Sequence, residues 1–319
     1  MLLGLLASPA GAQAPPDDKP LATELLAQAG TPAREAWLAA HRADLTPGLG
    51  RELAAEARDH YLASRYAPAS ETYSLALHVG EIVGDPESRI LGLEGLGNVE
   101  RFRGRPQESL PFYDRAMQEA VLASDERAVG RIVGATGNAR RMLGEFGAAL
   151  ALFERQLALF ERLGDREWVA RTEFNIGTAL GSSGRCAEAI PHLEHARTAN
   201  ELAGMTAAAA NSYNNLGICH TTLGNYAAAL EAFEHCLQIE EKTGEGDLAS
   251  PLNNIGNLYQ AQGAPLRALD YYHRSLAVAS AQGSYTGESL TDEGEALILL
   301  GRLPEARTTL DQALAVAEE

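Results

Sequence analysis

The chain has 319 residues, 45% of them hydrophobic and only 6% aromatic, which is enough for two ordinary domains or one elongated one. Twenty-six Lys and Arg against 43 Asp and Glu leave a formal charge of -17, and so acidic a surface argues against nucleic acid or an anionic membrane as the main partner. Three cysteines, Cys186, Cys219 and Cys236, with no C-x-x-C pair give no disulfide framework and read as small packed hydrophobes.

The N-terminus, MLLGLLASPAGAQAPPDDKP, carries a short apolar run and then Ala12-Gln13-Ala14, the small-x-small arrangement that a signal peptidase cuts. Residues 1–19 are expected to form a signal peptide and disordered N-terminus, so that the protein is exported to the periplasm or beyond; without a functional signal the chain is cytoplasmic. No lipobox cysteine follows, which counts against a lipid anchor. No other stretch approaches the roughly 18 to 20 continuous apolar residues of a membrane span. Residues 20–49 contain LATELLAQAG and PAREAWLAAHRADL, which read as a capping helix pair.

From residue 50 onward the chain repeats itself every 38 to 40 residues. The marker is a small residue, Ala57, Gly97, Gly137, Gly177, Gly217, Gly256 and Gly294, followed seven positions later by Ser64, Gly104, Gly144, Gly184, Gly224, Gly263 and Gly301. Twelve after the marker stands Ala or Ser, and four beyond that a large residue: Tyr73, Tyr113, Phe153, Leu193, Phe233, Tyr272 and Leu310. Such self-similarity predicts a solenoid of repeated supersecondary units. The repeats are placed at 50–89, 90–129, 130–169, 170–209, 210–248, 249–286 and 287–319.

Each repeat reads as an antiparallel helix pair. In repeat five Tyr213, Leu216, Gly217 and His220 share one face of a helix over about 210 to 223, and Ala229, Phe233 and Cys236 share one face of the next. A glycine inside a helix costs about 1 kcal/mol relative to Ala, so its recurrence at one position calls for close helix contact. VGDPES at 83–88, LGDREW at 163–168 and EGDLAS at 245–250 each supply a Gly to end one helix and an Asp to cap the next.

Tyr213, Leu216, Gly217, Ala229 and Phe233, with their equivalents, resemble the tetratricopeptide repeat signature over about 270 residues. The 40-residue period resembles a subclass found in bacterial multidomain regulators, with the extra length in the second helix. The resemblance implies an all-α fold: a right-handed α-α superhelix of about seven helix pairs plus the N-terminal pair. Repeat one departs from the pattern, with Ala57 for glycine and Glu56 where an apolar residue is expected. The N-terminal layout is also similar to the region preceding caspase-like CHAT domains of bacterial proteins, which implies a catalytic Cys-His dyad beyond residue 319. The end at Glu319, without a polar capping helix, likewise predicts a cap or domain downstream.

Nothing in the sequence reads as an active site, a metal site or a cofactor site. His192 and His195 stand at i, i+3 without a third ligand nearby in sequence and read as surface or packing residues. Adjacent pairs such as Cys219-His220 point about 100° apart on a helix and do not make a nucleophile pair. GLEGLGN at 92–98 lies in a helical pattern with no strand before it, so the phosphate-loop reading fails.

In the tetratricopeptide family the groove-facing residues lie two, five, nine, twelve and thirteen into each unit. With the marker counted as eight, repeats one to four present Arg51, Arg58, Arg101, Arg131, Arg141 and Arg171, with Asn138, and Glu94 as the lone acid. Repeats five and six present Asn211, Asn214, Ser250, Asn253, Asn257 and Gln260, and repeat seven Glu288 and Glu295. The functional reading is a groove that is basic at one end and amide-lined at the other, binding an extended and acidic peptide or partner segment. The alternative is a set of solvated positions paired with acids such as Glu94 and Glu173. Asn175, Asn215 and Asn254, at position six, belong to the repeat itself, while Asn214, Asn253 and Asn257 face the ligand. The expected protein is a non-enzymatic interaction scaffold, or the regulatory region of a longer CHAT protein.

Overall fold

The computed structural model describes residues 18–244, 248–281 and 287–318, and all 16 of the regular elements among them are helices. Residues 1–17 of the expected signal segment and disordered N-terminus lie outside the described residues, as do Gly246 and Asp247 of the third link, whereas Asp18 and Lys19 are ordered as the cap and first residue of the first helix. The chain forms two compact bodies, the first ending at Ala139 and the second beginning at Arg140.

The first body contains α1 (Lys19–Leu26), α2 (Thr31–Ala40), α3 (Pro47–Leu62), α4 (Tyr66–Val83), α5 (Pro86–Phe102), α6 (Pro106–Leu122) and most of α7 (Glu126–Met142). Thr46 starts α3: its hydroxyl accepts from Leu49 N and donates to Asp18 Oδ1 at 2.7 Å, so the N-terminal pair is tied to the first repeat. Leu25, Trp37 and Leu38 of that pair are buried with Leu49, Leu53 and Ala57 in one core cluster. That core is continuous into repeats one and two through Tyr73, Val79, Leu96 and Val99.

The second body contains the rest of α7, then α8 (Phe146–Leu163), α9 (Arg166–Ser182), α10 (Cys186–Leu202), α11 (Thr206–Thr222), α12 (Tyr226–Thr243), α13 (Ala249–Ala261), α14 (Pro265–Ala281), α15 (Gly287–Leu299) and α16 (Leu303–Glu318). Here the core is a chain of clusters, one built on Phe153, Ile176, Leu193 and Leu216 and the next on Phe233, Ile255 and Leu258.

The predicted punctuation is present at the first two links, while at the third α12 ends at Gly244, ahead of the expected Gly246. Gly84 ends α4 at φ 73 and Asp85 caps α5 by accepting from Ser88 N at 2.9 Å. Gly164 and Asp165 do the same between α8 and α9, with Trp168 N as donor. The six turn glycines that follow the markers all have positive φ, and Ser64, standing in that slot in repeat one, sits at φ 56. First helices begin at Pro86, Arg166 and Thr206, four residues ahead of the repeat limits set at 90, 170 and 210, because the caps precede the first residue of the periodic pattern. The added length is not confined to the second helix: α5 and α6 both have 17 residues.

The marker glycines are where the paired helices meet. A Cβ on Gly217 would lie 2.4 Å from Phe233 Cε1, one on Gly97 2.5 Å from Tyr113, and one on Gly256 2.4 Å from Tyr272. In each case the large residue sixteen positions later fills the space the missing side chain leaves. Close approach therefore offsets the helix cost of glycine.

Candidate functional site

In the first body Glu94, the one acid among the predicted groove residues there, is engaged by Arg131. Its carboxylate, largely sheltered, takes Arg131 through Nε and Nη2 at 3.2 Å each. Arg51 is likewise engaged, 3.1 Å from Glu87 and 4.0 Å from Asp85. Arg101 differs. Its Nε donates to Tyr113 Oη and its Nη2 to Asn98 Oδ1, both at 3.4 Å, and its guanidinium lies 4.3 Å from the centre of the Phe102 ring. Among the described residues neither Arg101 nor the exposed Arg58 has a carboxylate partner. Asn138 turns back to donate to Gly134 O of its own helix at 3.2 Å.

Tyr113 and Tyr73 lie beneath this face. Burial pushes the Tyr113 phenol up, with the nearby Arg101 opposing it. Tyr73 is pushed up to about 12, first by burial and then by Tyr61 and Glu94, against the pull of Arg58. Both remain neutral at ordinary pH.

In the second body Arg141 stands half-buried at the end of α7, while Arg171 is exposed with its guanidinium 4.9 Å from the Trp168 ring centre. Asn211 is exposed. The other amides join successive first helices: Asn215 donates to Thr178 Oγ1 at 3.3 Å, Asn254 to Asn214 Oδ1 at 2.9 Å, and Asn253 to Asp292 Oδ2 at 2.7 Å. Asn253 is only 6% exposed, and its Oδ1 is buried without a hydrogen-bond partner. Asn257 accepts from Tyr272 Oη at 2.6 Å; Gln260 accepts from the same hydroxyl at 3.4 Å and donates to Glu295 at 3.5 Å. Asn214 and Asn253 are thus committed in part to the contact between repeats, whereas Asn211 stands open.

Two arrangements escaped sequence reasoning. Glu173, expected as an arginine partner, instead lies between His192 Nδ1, within hydrogen-bond distance, and His195 Nδ1 at 3.5 Å; the helix contact that joins them is invisible in the i, i+3 spacing. Among the described residues no group of three or more His, Cys, Asp or Glu could hold a metal ion. The second is apolar. Leu62 and Phe102, at position thirteen of repeats one and two, are 66% and 51% exposed, and the same count that picked out the arginines would have found them.

All three cysteines are buried and none is in a disulfide. Burial, and then the neighbouring Cys186 thiol, push Cys219 up to about 12, far from the thiolate a nucleophile requires. GLEGLGN lies inside α5. Among the described residues no helix is long and apolar enough to cross a membrane.

Comparison with known proteins agrees with this architecture. One model of the tetratricopeptide repeat matches residues 134–201 and 247–319, and another of the same description matches 210–242, together more than half of the chain. No curated protein matches it. A tetratricopeptide repeat protein from Parabacteroides merdae is 16% identical at a TM-score of 0.58, with 83% of this chain and 92% of that one covered. A Rap protein complexed with competence and sporulation factor is 15% identical at 0.59, covering 88% and 80%. NprR in complex with its cognate peptide NprX is 16% identical at 0.62, covering 84% and 79%. At such identities these structures speak to the fold, an all-α superhelical repeat. The period, the glycine-aromatic contacts and the matched repeat models place the chain in the tetratricopeptide repeat family.

Proposed function

We propose that this protein is a protein–protein interaction scaffold whose first-helix faces hold an extended, acidic peptide. The observation that carries the reading is the state of Arg58 and Arg101. In a chain of net charge -17 neither has a carboxylate partner among the described residues. An unpaired guanidinium offers five N–H donors and suits a carboxylate, to which shielded charge-assisted bonds contribute roughly 1.5 to 3 kcal/mol each. In the second body, taken by itself, Arg171 has no carboxylate partner among the described residues, and Asn211 and the amide N–H groups of Asn257 can meet a peptide backbone. The complexes of a Rap protein with competence and sporulation factor and of NprR with its cognate peptide, similar in fold, lend support. The N-terminal apolar run adds the proposal that binding takes place after export.

The test is to titrate the full chain with fluorescent peptides of one length, one rich in Asp and Glu and one with those residues replaced by Lys. The acidic peptide should bind and the basic one should not. Equal binding of the two would contradict the reading.

A further inference from the structure

An exposed aromatic ring is normally tolerated singly and carries no message. Phe102 is not alone. Tyr61 meets it edge-on, with ring centres 5.2 Å apart and planes at 86°, while the Arg101 guanidinium covers part of it at 4.3 Å. The ring is thereby held in place with half of its surface still in water. Leu62, next to Tyr61 in the last turn of α3, is exposed to an even greater degree. Arg101 spends only two donors, on Tyr113 and Asn98, and both contacts are long. Fixed aromatic surface beside an arginine with donors to spare is the composition enriched among residues that dominate binding energy.

We propose that the last turns of α3 and α5 form an anchor site: an aromatic side chain of the bound peptide packs on Phe102 and Leu62, while its flanking carboxylates bond to Arg101 and Arg58. The proposal rests on the acidic-peptide reading above and adds a requirement to it, an apolar residue set among acids. Charge complementarity selects this occupant, since among the described residues neither Arg58 nor Arg101 has a carboxylate partner, Glu94 being taken by Arg131. Size favours a peptide over a second copy of the chain, because Leu62 and Phe102 present far less than the roughly 800 Å² per partner of a stable interface.

Three short synthetic peptides test it on the full chain: an acidic one with a central Trp, the same with Ala for Trp, and a neutral one keeping the Trp. Affinities are measured by anisotropy for the wild type, Phe102→Ala and Arg101→Ala, with thermal unfolding run on each. The acidic Trp peptide should bind at least about tenfold tighter than its Ala version. Phe102→Ala should erase that advantage and leave the Ala peptide's affinity unchanged, and Arg101→Ala should weaken both acidic peptides. If Phe102→Ala proves unfolded, Leu62→Ser takes its place, with a partial loss of the Trp advantage expected. Equal binding of the Trp and Ala peptides, or an advantage that survives Phe102→Ala, overturns the anchor while leaving the acidic-peptide reading standing. Equal binding of the neutral and acidic Trp peptides overturns the part given to arginine. Failure of both acidic peptides to bind sinks the two readings together. Self-association in sedimentation that Phe102→Ala abolishes would make a second copy the occupant and overturn the proposal.

Discussion

The Tyr272 hydroxyl donates to Asn257 Oδ1 at 2.6 Å, across the helix pair of repeat six. The same bond recurs in repeat two, from Tyr113 to Asn98 at 3.0 Å. In both, the large residue that fills the space over the marker glycine also fixes the asparagine at position nine, which in repeat six is Asn257, a residue expected to face the ligand. Packing and the candidate site are therefore coupled. Tyr272→Phe keeps the ring and removes the bond, and should cost about 1 kcal/mol in urea unfolding. A double-mutant cycle with Asn257→Ala should return most of that as coupling.

The buried phenols make a statement about alkaline stability. Tyr73 is pushed from 10.0 up to about 12, and burial raises Tyr113 and Tyr272 as well. The folded chain therefore keeps protons that the unfolded chain gives up above pH 10. Stability should be intact below that pH and fall as the pH climbs toward 12. Urea midpoints recorded across this range should decline, and less steeply in Tyr73→Phe.

Gly217→Ala should destabilise, although alanine favours helix by about 1 kcal/mol. Its Cβ would lie 2.4 Å from Phe233 Cε1, and overpacking of this kind costs roughly 1 to 3 kcal/mol. A thermal melt of the variant measures the loss.

Ser64 and Ser124 occupy positive-φ positions, at 56° and 55°, where equivalent links use glycine. Replacing either with glycine relieves a strained backbone, so Ser64→Gly should stabilise the first body by about 0.5 to 1 kcal/mol. Chemical denaturation checks it.

Much of the fold was legible because a repeat writes the same physical demand seven times. Gly97, Gly217 and Gly256 were read as close-contact residues from recurrence alone, and their contacts with Tyr113, Phe233 and Tyr272 have that form. Gly84-Asp85 and Gly164-Asp165 were readable since caps are local chemistry. The site was less legible. Counting arginines overstated the free positive charge, because Arg131 meets Glu94 across 37 residues and Arg51 meets Glu87 across 36. Such pairs depend on how one first helix is registered against the next, which a count within a single repeat leaves out. Asn253 shows the same limit: its position number faced the ligand, while its amide is spent on Asp292.

Glu94 is the acid that holds Arg131. Glu94→Gln should release that guanidinium and tighten binding of an acidic peptide severalfold, with a stability loss of no more than about 1 kcal/mol for this partly exposed pair. Peptide titration beside thermal unfolding separates the two effects.

The central claim, that a basic face receives an acidic peptide, is tested most directly by the salt dependence of that binding in the wild type and in the double variant Arg58→Ala with Arg101→Ala. Screening should lower the wild-type affinity about tenfold or more between low and high ionic strength. The double variant should bind weakly and lose most of that salt dependence. Affinity that is unchanged by salt, or by removal of both arginines, would contradict the account.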